Sequence, residues 1–221
     1  MYRLYFIKTH LKNHKGIVFI YCLIYVLLIL FSIAYFRMNF VEEVIHKYFD
    51  CLDVVHIVVC ILGAFPMVFL AREVFERRKY PYVTLYSYNW SRIDNLLTHL
   101  LSLIFPAILF GIITGLYRNT ELEAFYYKGM LLDNMLQHIV LIFFLASLGF
   151  CMGVLLRSYS MAMLIVLGYI LIMQYMGLPG VIANMITLDY GANWRFGTGM
   201  TFCIGIVLNE LGMLMLDRKG K

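Results

Sequence analysis

Six apolar segments, separated by shorter polar stretches, dominate the pattern of residues along this chain. Each is long enough to cross a bilayer as an α-helix, which takes about 20 residues. The predicted spans are residues 16–36, 54–71, 96–117, 135–156, 161–178 and 197–216. Arg157 separates the fourth and fifth, and residues 157–160 predict a short hairpin there, since a charge at mid-membrane costs about 2.5–3.5 kcal/mol. The pattern predicts an all-α polytopic membrane protein that forms a single domain over residues 1–221.

The composition excludes the soluble classes. Hydrophobic residues make up 62% of the 221 residues, and charged residues only 14%. A soluble domain carries roughly 45–50% apolar and about 25% charged residues, and one soluble core of this size cannot hide so much apolar surface. A soluble enzyme, a coiled coil and a disordered tail are therefore excluded. Four of the five cysteines lie in apolar segments and only Cys51 falls in a predicted loop, so we expect no disulfide within the chain.

The basic residues predict the orientation of the six spans. Thirteen of the eighteen lysines and arginines fall in the N-terminal segment, the loops after the second and fourth spans, and the tail. Cytoplasmic segments of membrane proteins accumulate such residues. Both termini are therefore predicted to be cytoplasmic, which agrees with an even number of spans.

The first 15 residues carry lysines on one helical stripe. Lys8, Lys12 and Lys15 follow a spacing of four and then three residues, beside an apolar stripe of Leu4, Ile7 and Leu11. A helix of this kind can lie in the headgroup plane of the bilayer. We favour an interfacial helix; the alternative is a basic tail that only fixes the orientation.

The predicted cytoplasmic loop at 72–95 is longer and more charged than a connection between two helices needs. Mixed-sign charges come first and large aromatic residues follow, and Tyr, Trp and Arg are favoured anchors of protein interfaces. The residue types alone fit equally a protein-binding surface and a charged loop with aromatics at the membrane interface. The candidate contact residues are Glu73, Glu76, Arg77, Arg78, Tyr86, Tyr88, Trp90 and Arg92.

Two further features concern the membrane itself. Residues 179–196 contain an apolar stretch too short to cross, which favours an external re-entrant segment over an ordinary loop. Polar side chains within spans are few, and ionisable ones there are functional candidates by default. We take His56 and Gln174 as substrate-path candidates. The other polar residues of the spans, for which helix packing is the favoured role, are Thr114, Gln137, His138, Asn209 and Glu210.

Several catalytic motifs are missing from the sequence. There is no G-x-x-x-x-G-K-[ST], so the chain has no P-loop of its own for ATP. Glu42 and Glu43 with His46 faintly resemble the cluster of intramembrane CAAX-type proteases, but they fall in a predicted external loop, and Lys47 stands where that family has arginine. We therefore expect no enzyme activity and no metal site.

The chain resembles the permease subunit of a type-2 ATP-binding-cassette (ABC) transporter along nearly its whole length. The best match is the loop at 72–95, with Glu76-Arg77, Thr84-Leu85 and Trp90-Ser91-Arg92, although Tyr82-Val83 replaces the family's glycine and Asn89 or Trp90 its proline. Residues 155–158 also look like the family's junction after the fourth span. The resemblance implies an N-terminal elbow helix at 1–15, a coupling helix in the loop at 72–95, and an external re-entrant segment at 179–196.

The resemblance also implies function. Such a subunit forms half of a translocation path in a bacterial cell membrane, and exports an apolar or amphipathic substrate such as a drug, a bacteriocin-like peptide or a lipid. Its partners are separate ABC ATPase subunits and a second permease subunit, identical or related. The chain itself would bind no cofactor, because ATP and Mg²⁺ sit on the ATPases. The alternative functions are a substrate-binding membrane subunit of an energy-coupled vitamin importer and, less favoured, an intramembrane protease.

Overall fold

The computed structural model describes residues 15–38, 44–77, 92–118, 125–176 and 194–218, and these residues are almost entirely helical. They form six helices, one for each apolar segment of the sequence. The helices are α1 (Lys15–Met38), α2 (Val44–Arg77), α3 (Arg92–Arg118), α4 (Phe125–Leu156), α5 (Tyr159–Met176) and α6 (Trp194–Arg218). The all-α prediction is confirmed for this part of the chain.

Four of the six helices are long and apolar enough to cross a membrane. They are α1, α3, α4 and α6, over Lys15–Arg37, Asn95–Leu116, Met135–Leu156 and Arg195–Leu216. Helices α2 and α5 contain the shorter apolar stretches Val54–Phe69 and Tyr159–Ile172. The protein is therefore a helical membrane protein by the length and composition of these four helices. Residues 1–14 of the predicted interfacial helix and most of the predicted re-entrant segment lie outside the described residues, and Lys15 is the first residue of α1.

The helices extend beyond the apolar segments that predicted them. Helix α2 has 34 residues and begins at Val44, ten residues before its predicted span, and α4 begins at Phe125, also ten residues early. Hydropathy marks the stretch that suits a bilayer, whereas a helix continues as long as its backbone hydrogen bonds and packing do. Cys51 is consequently a buried helical residue rather than the predicted loop residue. All five cysteines are free thiols.

Helix α4 lies at the centre of the bundle. It packs against α2, α3, α5 and α6, whereas the main contacts of α1 in the described part of the chain are with α2 and α3. The apolar stretch of α4 is accordingly 67% buried inside the protein, against 11% for that of α1. The core around α4 includes Leu141 and Leu145 towards α2 and α5, and Phe150 towards the C-terminal part of α6. A central helix with four neighbours can pass a movement of one neighbour to the others.

Neighbouring contacts show how the helices run. Gly63 and Val68 of α2 lie against Ile142 and Gly149 of α4, so these two helices are parallel. The first residue of α3, Arg92, contacts Glu210 near the end of α6, so α3 runs opposite to α6. We use these contacts to name the two ends of the bundle. The Arg92–Glu210 end also holds the α4–α5 turn, and the Asp133–Arg195 end holds the first residues of α6.

The predicted hairpin between the fourth and fifth spans is a tight turn in the structure. Only Arg157 and Ser158 separate α4 from α5. Arg157 has a φ of 54°, the left-handed conformation that ends many helices and that favours glycine. Ser158 caps α5: its carbonyl accepts from the Ala162 N–H at 3.1 Å, and its Oγ accepts from the Met161 N–H at 3.4 Å. The chain therefore reverses direction between α4 and α5 through these two polar residues alone.

The turn predicts a ranking of substitutions at Arg157. Glycine adopts the left-handed region freely, whereas a β-branched residue is strongly disfavoured there. We expect Arg157→Gly to exceed Arg157→Val in free energy of unfolding by about 1–2 kcal/mol. Thermal unfolding in detergent measures the difference, and Arg157→Ala controls for the lost charge. Equal midpoints for Gly and Val would show that residue 157 does not keep this conformation.

Candidate functional site

A band of polar side chains joins α3 to α6 near the Arg92–Glu210 end. We call this band the polar seam. On α3 its residues are spaced by three or four positions, so they share one face of the helix. The seam consists of Arg92, Asn95, His99 and Ser102 of α3 with Asn209 and Glu210 of α6.

Asn209 is the centre of the seam's hydrogen bonds. Its Oδ1 accepts from Asn95 Nδ2 at 2.8 Å, and it lies 3.0 Å from His99 Nε2. An amide oxygen only accepts, so His99 Nε2 is the ring nitrogen that carries the proton and donates. The His99 ring also packs on Phe143 of α4, with ring centroids 4.9 Å apart. One side chain of α6 therefore holds two side chains of α3 from successive turns.

The seam also contains buried polar atoms that have no partner within the described part of the chain. They are Asn95 Oδ1, His99 Nδ1 and Ser102 Oγ. Asn95, His99 and Ser102 are at most 4% exposed. An unsatisfied buried polar atom costs about 1–3 kcal/mol, so an ordered water bound at these atoms would stabilise this face of α3. The polar seam therefore contains two hydrogen bonds to Asn209 Oδ1 and three buried polar atoms without a partner in the described residues.

Arg92 and Glu210 close the seam at the end of the bundle. Arg92 Nη2 donates to Glu210 Oε2 at 3.0 Å, and the side chains are 75% and 43% exposed. An exposed ion pair contributes only about 0–1 kcal/mol to stability. The ion pair matters more for position, because it holds the first residue of α3 beside the last turns of α6.

A second polar cluster lies between α2 and α4. His56 is 3% exposed and meets His138 edge-to-face, with ring centroids 4.7 Å apart. The Cys60 Sγ lies 3.9–4.0 Å from both nitrogens of the His56 ring, one helical turn away. Phe110 of α3 also contacts His138, with the two rings tilted by 51° and their centroids 4.4 Å apart. These contacts are those of a packed core.

The described residues contain no group of three or more His, Cys, Asp or Glu side chains placed to hold a metal ion. His56, a predicted substrate-path residue, lies in the core between α2 and α4 and contacts His138. The predicted span at 135–156 places His138 near the start of a helix, but α4 begins at Phe125, so His138 lies more than three turns from that end.

A cleft of about 420 Å³ opens between α4 and α6 at the Asp133–Arg195 end. We call it the α4–α6 cleft. Its charged residues form a long ion pair, with Arg195 Nη2 3.9 Å from Asp133 Oδ2. The remaining lining is mostly apolar or small: Leu136, Val140, Thr198, Gly199 and Phe202. The cleft is therefore an apolar groove with one positive and one negative group at its mouth.

The other predicted site residues fall into three groups. Glu73, Glu76 and Arg77 belong to the last turns of α2, which continues past the predicted start of the loop. Lys15 begins α1 and is exposed. The side chain of Gln174, on α5, lies outside the described part, as do the whole residues Lys8, Lys12, Arg78, Tyr86, Tyr88 and Trp90. Among the predicted coupling residues, Arg92 is the one whose side chain the structure describes, and it contacts Glu210 of α6.

The sequence reasoning missed most of the seam on α3. The predicted loop at 72–95 includes Asn95, and the sequence pattern gives no role to His99 or Ser102. A usable signal was present, because Asn95, Thr98, His99 and Ser102 follow the i, i+3, i+4, i+7 spacing of one helical face. Asn209 was selected, and its assigned role as a helix-packing hydrogen bond agrees with its contacts.

The fold and these contacts define a helical membrane protein with a polar connection between two helices. In comparisons with known proteins, no family model, no curated protein and no solved structure matches this chain.

Proposed function

We propose that this chain is the membrane-spanning subunit of an ABC exporter of the type-2 class. Six helices cross the bacterial cell membrane, and two such subunits enclose a path for an apolar or amphipathic substrate. Separate ATPase subunits bind residues 72–92 from the cytoplasm. The observation that carries the proposal is the polar seam, because it connects the residue at the end of the coupling loop directly to another helix.

The geometry supports a mechanical role for the loop. Helix α2 ends at Arg77 and α3 begins at Arg92, so a push on the loop acts on both helices at once. Both pack against the central α4. The bonds of Arg92 to Glu210 and of Asn95 to Asn209 pass the movement of α3 on to α6. Rocking of packed helices around a fixed site is how alternating access works in transporters.

The positions of the basic residues support a cytoplasmic Arg92–Glu210 end. Arg92 begins α3, Arg157 lies in the α4–α5 turn and Arg218 ends α6, and all three positions belong to that end. Lys15 belongs to it as well, because Tyr21 near the start of α1 stacks on Phe65 in the second half of α2. With Arg72 and Arg77 in the last turns of α2, they follow the excess of positive charge on cytoplasmic segments. Arg77 and Arg92, the helix ends between which the loop runs, then lie on the side of a cytoplasmic ATPase.

Charge reversal of the seam tests the proposal in the complex purified from its native membrane. We expect Arg92→Glu or Glu210→Arg alone to retain the ATPase but to uncouple ATP hydrolysis from transport, since like charges separate α3 from α6. The exchange Arg92→Glu with Glu210→Arg is expected to restore coupling. Arg157→Glu is the matched control, because it makes the same charge change at the same end outside the seam. Co-purification, ATP turnover and transport in vesicles are measured.

The loop is tested in the same preparation. Interface anchors commonly contribute about 2 kcal/mol or more, so Tyr88→Ala with Trp90→Ala is expected to weaken ATPase binding roughly thirtyfold. Absence of any ATPase from the native complex would refute the proposal. Unchanged coupling in both single reversals would refute the role of the seam.

A further inference from the structure

We propose that the α4–α6 cleft is a binding site for a phospholipid with a primary ammonium headgroup. The guanidinium of Arg195 takes the phosphate, the carboxylate of Asp133 takes the ammonium, and the first part of an acyl chain lies on the apolar wall. The proposal requires only that the chain lies in a membrane. It does not depend on the transporter function.

The charges at the mouth match a zwitterionic headgroup. Arg195 and Asp133 are 3.9 Å apart, at the limit of an ion pair, and the Arg195 side chain is 81% exposed. A guanidinium binds phosphate through two parallel hydrogen bonds. Because a carboxylate stands beside it, a purely anionic headgroup meets repulsion as well as attraction. A headgroup with phosphate and ammonium offers each of the two side chains a group of opposite charge.

The cleft has an apolar wall and a volume that suit part of such a molecule. Leu136, Val140 and Phe202 supply the apolar wall, and Gly199 leaves space because it has no side chain. A volume of about 420 Å³ lies within the usual range of ligand pockets but is smaller than a whole phospholipid. It holds the headgroup and the start of one chain. The rest of the chain continues along α6, where Phe202 and Ile206 are exposed apolar residues.

The level of the cleft in the membrane agrees with this occupant. The apolar stretches of α4 and α6 begin at Met135 and Arg195, beside the charged mouth. Asp133 and Arg195 therefore lie at the boundary between headgroups and hydrocarbon, and the apolar wall lies one to two turns deeper. A lipid can enter sideways without leaving its leaflet.

Filling the cleft tests the proposal on the purified full chain in detergent. A Cβ at Gly199 meets no atom within 4 Å, so Gly199→Leu fits the fold while it occupies the cleft. Gly111→Leu is the matched control on α3, where a Cβ also meets nothing. Native mass spectrometry measures the retention of phosphatidylethanolamine, phosphatidylcholine and phosphatidylglycerol. We expect phosphatidylethanolamine to bind at least fivefold more tightly than the other two, Gly199→Leu to reduce this binding tenfold or more, and Gly111→Leu to leave it unchanged.

The charged residues supply a second measurement. Asp133→Asn is expected to abolish the preference for phosphatidylethanolamine over phosphatidylglycerol, and Arg195→Gln to weaken both. Thermal unfolding checks that each variant is folded. Equal retention of phosphatidylethanolamine by Gly199→Leu and wild type would overturn the proposal, as would a preference for phosphatidylglycerol. Displacement of the lipid by phosphoethanolamine at equal concentration would mean that the site recognises a free headgroup rather than a lipid.

Discussion

Replacing Gly149 by valine is expected to destabilise the protein more than any polar substitution described above. A Cβ at this position would lie 2.5 Å from Val68 Cγ2 of α2 and 3.3 Å from Val166 Cγ2 of α5. Both neighbours are β-branched and buried, so neither can turn away easily. Overpacking of a core commonly costs about 1–3 kcal/mol and sometimes more. Because Gly149 is wedged between two helices, we expect a loss of at least about 3 kcal/mol, measured by unfolding in mixed micelles.

The control for this substitution is the same change in the same motif on another helix. Gly111 and Gly115 of α3 repeat the Gly-x-x-x-Gly spacing of Gly149 and Gly153, but a Cβ at either α3 position meets nothing within 4 Å. Gly111→Val is therefore expected to leave the unfolding midpoint almost unchanged. Similar losses in the two variants would show that the effect comes from valine in a helix and not from the packing of α4 between α2 and α5.

The two glycine motifs show where sequence reasoning ends. The spacing predicts close approach of helices, and it is identical in both motifs, yet only the motif on α4 is packed within the chain. Which face of a helix meets a neighbour depends on the arrangement of all six helices. The apolar segments themselves were predictable because bilayer thickness sets their length directly.

The candidate site was predictable only in part, for a related reason. The sequence suggests roles for Arg92 and Asn209 separately. The two residues are 117 positions apart, and nothing in the sequence indicates that they lie on facing helices. Asn95 was assigned to a loop because hydropathy falls at the end of a span, although the helix begins at Arg92. The α4–α6 cleft was not predicted at all, since it depends on a missing side chain at Gly199 and on two charges from separate helices.

Asn209→Leu is expected to weaken the seam more than any other single change in it. The substitution keeps the size of the side chain but removes the acceptor of Asn95 Nδ2 and His99 Nε2. Hydrogen bonds between membrane helices contribute about 0.6 kcal/mol on average and up to about 1.7 kcal/mol each. The other polar atoms of Asn95 and His99 already have no partner in the described part of the chain, so the substitution adds two unpaired donors to this buried face. We expect a loss of about 1–3 kcal/mol in free energy of unfolding.

Thr201→Val on the same helix is the matched control for Asn209→Leu. Thr201 is fully buried, but its hydroxyl donates to the Gly197 carbonyl of its own helix at 2.9 Å. Its replacement by the isosteric valine removes a polar group without separating two helices, and we expect a change below about 0.5 kcal/mol. A cysteine pair at 92 and 210 supplies a second measurement, because its cross-linking rate should fall in Asn209→Leu and not in Thr201→Val. If both variants unfold and cross-link like wild type, α3 and α6 are held together by apolar packing alone, and the seam does not transmit movement between them.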